Sequence, residues 1–220
     1  WYAAHRRYWL SAVFVALASI TRIYGILLLV LLLAEMLSDG LGKNRARILA
    51  ITAVASSLLI VYGGFLWVTQ GSPLAAVTTQ QSLMQRSISL PGLSLIHGIS
   101  VALWGHGGFE GNWFMRIASA HDSFVTVLFL ACTIAGFYIL RRRSLAYYGG
   151  VAMLALVASH GPYTLGVYSM SRYVLPLFPS FIAMAVIMTR YPKLKWFIWL
   201  SMILLQYLLT AWFATGRWVA

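Results

Sequence analysis

The sequence predicts an all-α protein, a polytopic transmembrane helix bundle with amphipathic segments on its outer side. Three observations carry this prediction. Hydrophobic residues make up 61% of the 220 and charged residues only 9%, whereas a water-soluble domain is about one quarter charged. The apolar residues fall in runs long enough for a hydrocarbon core, which takes roughly 20 residues per helix. The cations, which give a net charge of +12, sit in short clusters between those runs. Such clusters orient a chain in a bilayer and do not form a stripe that tracks a phosphate backbone. Membrane lipids are therefore expected as partners and nucleic acid is not.

The chain opens on "WYAAHRRYW", a basic and aromatic interfacial segment without initiator Met or signal-peptide pattern. It reads as the C-terminal part of a longer protein, with residues 1–220 forming a single transmembrane domain. The apolar stretch over about 8–37 is interrupted by "TRIYG" at 21–25 and flanked by Arg6 and Arg7 on one side and Lys43, Arg45 and Arg47 on the other. One long helix would leave a positive cluster on each side of the membrane. A helical hairpin turning near Gly25 keeps both clusters in the cytoplasm. A span over about 46–68 follows and ends in "WVTQGSP", where Gly71 and Pro73 suit a helix stop. Residues 71–116 form an extracytoplasmic segment. Within it, Leu74, Val77, Gln81 and Met84 recur at helical spacing as in an amphipathic surface helix. Residues 92–104 are too short to span, and "GHGGFEGNW" is a Gly-rich loop. Four further spans fill about 119–213, over 119–140, 144–159, 173–189 and 196–213, separated by "RRR", "HGPYTLGVYSMS" and "RYPKLK".

This arrangement assigns 11 of the 16 cations to the cytoplasmic face. The other five, Arg22, Arg86, Arg116, Arg172 and Arg217, fall at or near the outer face, where orientation does not require them. An arginine there either reaches toward anionic headgroups or grips a lipid-linked phosphate and stabilises it as a leaving group. Three on one face, Arg22, Arg86 and Arg172, favour the phosphate-lipid site. Of the four acids, Glu35 and Asp39 are expected to pair with Lys43 or Arg45, and Glu110 lies in the Gly-rich loop. Asp122 stands beside His121 near the outer start of a span. That pair acts either as an interfacial cap or as a group that orients a substrate hydroxyl or a metal. His97, His106 and His160 lack ligand-like spacing, so no metal site is expected. The single Cys132 can form no internal disulfide. Walker, GxSxG, HExxH and CxxC patterns are missing, which leaves soluble-nucleotide chemistry unsupported.

Three stretches carry a resemblance. "LASITRIYGILLL" (17–29), "GSPLAAVTTQQSLMQR" (71–86) and "SMSRYVLPLFPSF" (169–181) resemble, in order and spacing, segments of the bacterial relatives of glycosylphosphatidylinositol mannosyltransferase II. These belong to the GT-C superfamily of polyprenol-dependent glycosyltransferases. Ser72 and Ser171 stand where that family has Asp and Pro, and Leu83 or Met84 replaces its Trp. The resemblance implies the C-terminal portion of a GT-C-like fold in a bacterial plasma membrane, with the active face extracytoplasmic. It implies inverting transfer of a sugar, mannose foremost, from a polyprenyl-phosphate donor to an acceptor hydroxyl. Substrate-binding roles then fall to Arg172, Tyr173, Arg22, Arg86 and Gln81, joined by His121 and Asp122 from the residue reading above. The lipid-linked sugar donor enters as substrate, no cofactor is implied, and the catalytic carboxylate is expected upstream of residue 1. A transferase for another sugar, such as arabinose, fits the same residues. The alternative is a non-enzymatic membrane transporter or lipid-binding subunit. A transporter should show paired broken helices in two related halves, and no such symmetry is visible.

Overall fold

The structure is a computed structural model that describes residues 2–40, 44–84, 87–88, 90–105, 113–160 and 173–214. The described chain is all-helical apart from one minimal ladder. In order, it forms α1 (Tyr8–Thr21), a 3-10 turn (Ile23–Leu27), α2 (Leu28–Ser38), α3 (Arg45–Gln70) and α4 (Ala75–Met84). Then come β1 (Ser87–Ile88), α5 (Leu93–Trp104), α6 (Trp113–Ile139), α7 (Arg143–Ala158), β2 (Ser159–His160), α8 (Phe178–Arg190) and α9 (Pro192–Ala214). Two segments, Arg45–Gln70 and Met115–Ile139, are long and apolar enough to cross a membrane by length and composition.

Residues 8–38 double back on themselves. Arg22 leaves α1 in an extended conformation, φ −154° and ψ 128°, which ends the helix before the 3-10 turn begins. Gly25 lets that turn lie directly on α1, since a Cβ there would sit 2.2 Å from the carbonyl oxygen of Ala18 and 2.6 Å from the nitrogen of Ser19. At the far end the arms meet again. The Tyr8 hydroxyl donates to the Asp39 carboxylate, and Arg6 Nε lies 3.2 Å from Asp39 Oδ2. α3 starts where Asn44 Oδ1 accepts the Arg47 N–H at 3.1 Å and stops at Gly71, whose φ of +72° suits glycine.

Two apolar cores hold the helices together. Tyr8, Ala12 and Val15 share one face of α1 and meet Leu32 and Met36 of α2 and Ile51 and Ala55 of α3. The second core joins Phe129 of α6 and Tyr148, Met153 and Leu156 of α7 to Val174 and Leu177, with Tyr24, Leu28, Val125 and Tyr173 packed against it. α2 thus lies between α1 and α7.

That placement corrects the expected ion pairs. Glu35 accepts the Ser144 hydroxyl at 2.5 Å and lies 3.6 Å from Arg142 Nη1, while Asp39 takes Arg6 and Tyr8. Arg45 opens α3 and is exposed, and Lys43 lies outside the described residues. Because α2 runs antiparallel to both neighbours, its terminal carboxylates meet the starts of α1 and α7, and among the described residues Arg45 forms no ion pair with them. Three helix starts also differ from expectation. α6 begins at Trp113, ahead of 119, where Arg116 ties it to the end of α5. α8 begins at Phe178 and not at 173, because Val174 to Leu177 form a turn closed by Leu177 N–H to Val174 O at 2.9 Å. α8 carries Pro179 in its first turn, and α9 begins on Pro192 ahead of 196, both places where proline forfeits no helical bond.

The Glu35 side chain is only 12% exposed, against 52% for Arg142. Glu35→Ala should therefore cost about 1–3 kcal/mol, since it leaves the buried Ser144 hydroxyl without its acceptor. Arg142→Gln should cost under about 1 kcal/mol, as exposed ion pairs do. Thermal unfolding in one detergent measures both, and a larger loss for Arg142→Gln would reverse this ranking.

Candidate functional site at the hairpin tip

The tip is built from the break between α1 and α2. The Arg22 N–H still donates to Ala18 O at 3.0 Å, so the backbone of Arg22 is anchored while its side chain is exposed. Its guanidinium carbon lies 5.4 Å from the centroid of the Tyr173 ring. Tyr24, on the 3-10 turn, meets the same ring edge-on with centroids 5.9 Å apart and planes at 73°. The attraction of a guanidinium to a ring face acts on its charge and is worth about 0.5–1 kcal/mol at an exposed site. It leaves the N–H donors available to an anion. Tyr24 and Tyr173 rest in turn on the second apolar core.

Val125 of α6 packs against that core as well. The N-terminal half of α6 buries a polar face of Ser119, Asp122, Ser123 and Thr126. The Ser119 hydroxyl donates to Gly98 O at 2.9 Å, and that of Thr126 donates to Asp122 O at 2.7 Å. Asp122 is 6% exposed, and its Oδ1 lies 3.7 Å from His121 Nδ1. Ser123 Oγ is buried and has no hydrogen-bond partner among the described residues. The interfacial-cap reading of His121 and Asp122 is corrected by this geometry, because α6 starts at Trp113 and places the pair well inside the helix.

The structure thus brings Arg22 and Tyr173 together and, separately, pairs His121 with Asp122 on α6. Gln81 falls within α4. Arg86, Arg172, Arg217, Glu110, His106 and the side chain of His160 lie outside the described residues. Arg116 serves a different purpose, since its Nη2 and Nε donate to Leu103 O at 2.6 Å and Ala102 O at 3.3 Å and so cap the end of α5. Two site residues escaped the sequence reading. Tyr24 stands inside the quoted "TRIYG", where its aromatic ring was the available signal. Ser123 belongs to the stripe Ser119, Asp122, Ser123 and Thr126, whose helical spacing in an otherwise apolar helix marks an inward polar face. Among the described residues no three His, Cys, Asp or Glu side chains gather to hold a metal.

No family model, curated protein or solved structure matches the chain.

Proposed function

We propose that the chain is the C-terminal part of an integral membrane glycosyltransferase of GT-C type, similar to the bacterial relatives of glycosylphosphatidylinositol mannosyltransferase II. The observation that carries this reading is the contact of Arg22 and Tyr24 with Tyr173. It joins two of the three stretches on which the resemblance rests, far apart in the chain, at one end of the molecule. In this reading the helices form a polytopic bundle in a bacterial plasma membrane, with the hairpin tip on the extracytoplasmic side. Exposed tryptophans support two interfacial levels: Trp67, Trp104 and Trp113 near one end, Trp9, Trp196 and Trp199 near the other.

Arg22, with Arg172 next to Tyr173 in sequence, takes the phosphate oxygens of a polyprenyl-phosphate sugar, mannose foremost. A carboxylate in the upstream part of the enzyme removes the proton of the acceptor hydroxyl, whose oxygen attacks the anomeric carbon. The bond from that carbon to the phosphate oxygen breaks, and the phosphate keeps the electron pair. Arginine charge stabilises the anion as it forms.

The test is transfer of labelled mannose from a short-chain polyprenyl-phosphate donor by the full-length protein in proteoliposomes. Transfer supports the reading. Donor binding without transfer would make the protein a lipid-binding subunit, and donor movement across the membrane without transfer would make it a transporter. Topology is tested separately on a Cys132→Ala background. A cysteine at Ser82, exposed on α4, is expected to react with an impermeant thiol reagent in intact cells, and one at Arg141 only after permeabilisation. The opposite order would turn the bundle over.

A further inference from the structure

The end of the bundle opposite the hairpin tip carries more arginine than its own acids engage. Glu35 and Asp39 lie one helical turn apart at the end of α2, and two separate chain segments converge on them. Arg6 Nε is 3.2 Å from Asp39 Oδ2, and Arg142 Nη1 is 3.6 Å from Glu35 Oε1. Each of those arginines brings neighbours: Arg7 at the entrance to α1, and Arg141 and Arg143 on either side of Arg142. All three neighbours are exposed, and none of the ion pairs among the described residues includes them. The two carboxylates, by contrast, are already occupied by Arg6 and Tyr8 and by Arg142 and Ser144.

A second observation is independent of charge. Arg6 has φ 60°, the one positive φ at a non-glycine residue among the described residues. A left-handed backbone costs a residue with a Cβ, and glycine would relieve the strain. The conformation is held by the Arg6 N–H to Ala3 O at 3.0 Å and the Arg7 N–H to Tyr2 O at 2.9 Å. It turns the chain so that Arg6 reaches Asp39 while Arg7 leads into α1. It is the left-handed close of the short 3-10 turn Ala3–His5, and it sets the direction in which Arg6 and Arg7 diverge. Apolar side chains are open at the same end of each of these helices, with Trp9 of α1 48%, Leu37 of α2 59% and Tyr147 of α7 54% exposed.

We propose that this end binds the phosphate of an anionic phospholipid headgroup. Arg7, Arg141 and Arg143 donate to the phosphate oxygens, and Trp9, Leu37 and Tyr147 lie along the glycerol and upper acyl chains. Guanidinium groups match phosphate oxygens in a two-pronged geometry, and basic clusters bordering membrane helices select anionic lipids. An apolar flank beside the surplus charge fits a lipid and not a soluble anion. The proposal depends on the sides of the bundle facing lipid, and it does not depend on glycosyl transfer.

The full-length protein in detergent is titrated with dioleoyl phosphatidylglycerol, dioleoyl phosphatidylcholine, inorganic phosphate and poly-glutamate, and bound lipid is read by native mass spectrometry. Phosphatidylglycerol should be retained on the order of a hundredfold more tightly than phosphatidylcholine, with each of the three arginines removed costing about fivefold. The double variant Arg141→Gln, Arg143→Gln should lose most of that preference, down to about fivefold, while Lys193→Gln, Lys195→Gln on α9 should change it by under about twofold. Should the arginine double variant unfold at a lower temperature, Arg7→Gln reads the same site from the other segment. Equal retention of the two lipids, displacement by inorganic phosphate or by poly-glutamate at matched concentration, or equal loss in the arginine and lysine variants overturns the proposal.

Discussion

Gly25→Leu is expected to leave almost no folded protein. The added Cβ alone would lie 2.2 Å from Ala18 O and 2.3 Å from Ala18 C. Both are backbone atoms of α1, so no flexible side chain can swing aside. Relief requires the 3-10 turn to lift off the last turn of α1, which breaks the Gly25 N–H to Arg22 O bond of 2.7 Å and parts Tyr24 and Leu28 from the second core. Overpacking costs about 1–3 kcal/mol where side chains can yield; here the clashing atoms are backbone, so the loss exceeds that range and consumes most of a total stability of about 5–15 kcal/mol. Gly25→Ala already places the offending atom and is the sharper variant. Gly64, mid-helix in α3 with nothing within 4 Å of an added Cβ, is the control, and Gly64→Ala should be neutral or stabilising by up to about 1 kcal/mol. Yield of monodisperse protein on size exclusion in detergent measures the difference. Equal yields for Gly25→Ala and Gly64→Ala would show that the turn does not rest on α1.

The same glycine shows what the sequence makes legible. A glycine beside a charged residue inside an apolar run points to a turn, and Gly71 before a proline points to a helix stop, because both readings rest on local backbone chemistry. Local chemistry does not choose partners. Lys43 and Arg45 follow Glu35 closely in the chain, yet Glu35 bonds a serine 109 residues away, since helix direction and packing decide which termini share an end. The start of α6 was hidden for a related reason. Arg116 is an unexplained outer cation in the sequence and becomes a helix anchor only when the end of α5 lies beside it. At the candidate site, Arg22 and Tyr173 were readable from motifs, whereas their stacking, the edge contact of Tyr24 and the depth of Asp122 are products of tertiary packing.

Arg22→Lys is expected to slow sugar transfer on the order of ten- to a hundredfold without loss of folded protein. Lysine keeps the positive charge but loses the planar fork and its preferred stacking on Tyr173. A charge-assisted bond to a phosphate oxygen is worth about 1.5–3 kcal/mol, and each 1.36 kcal/mol is roughly tenfold in rate. If the contact strengthens as the phosphate departs, the loss falls on kcat more than on KM. Tyr173→Leu should reproduce part of the effect by removing the ring that positions the guanidinium, and Arg172→Lys tests the neighbouring cation in the same way. An arginine that merely reaches to headgroups would accept lysine with little change.

The most direct measurement is kcat/KM for transfer of labelled mannose from short-chain polyprenyl-phosphate-mannose, by full-length wild type and Arg22→Lys at equal folded amounts. A fall of about ten- to a hundredfold is the predicted result. Equal values would contradict the account and leave the arginine at the hairpin tip without a part in the chemistry.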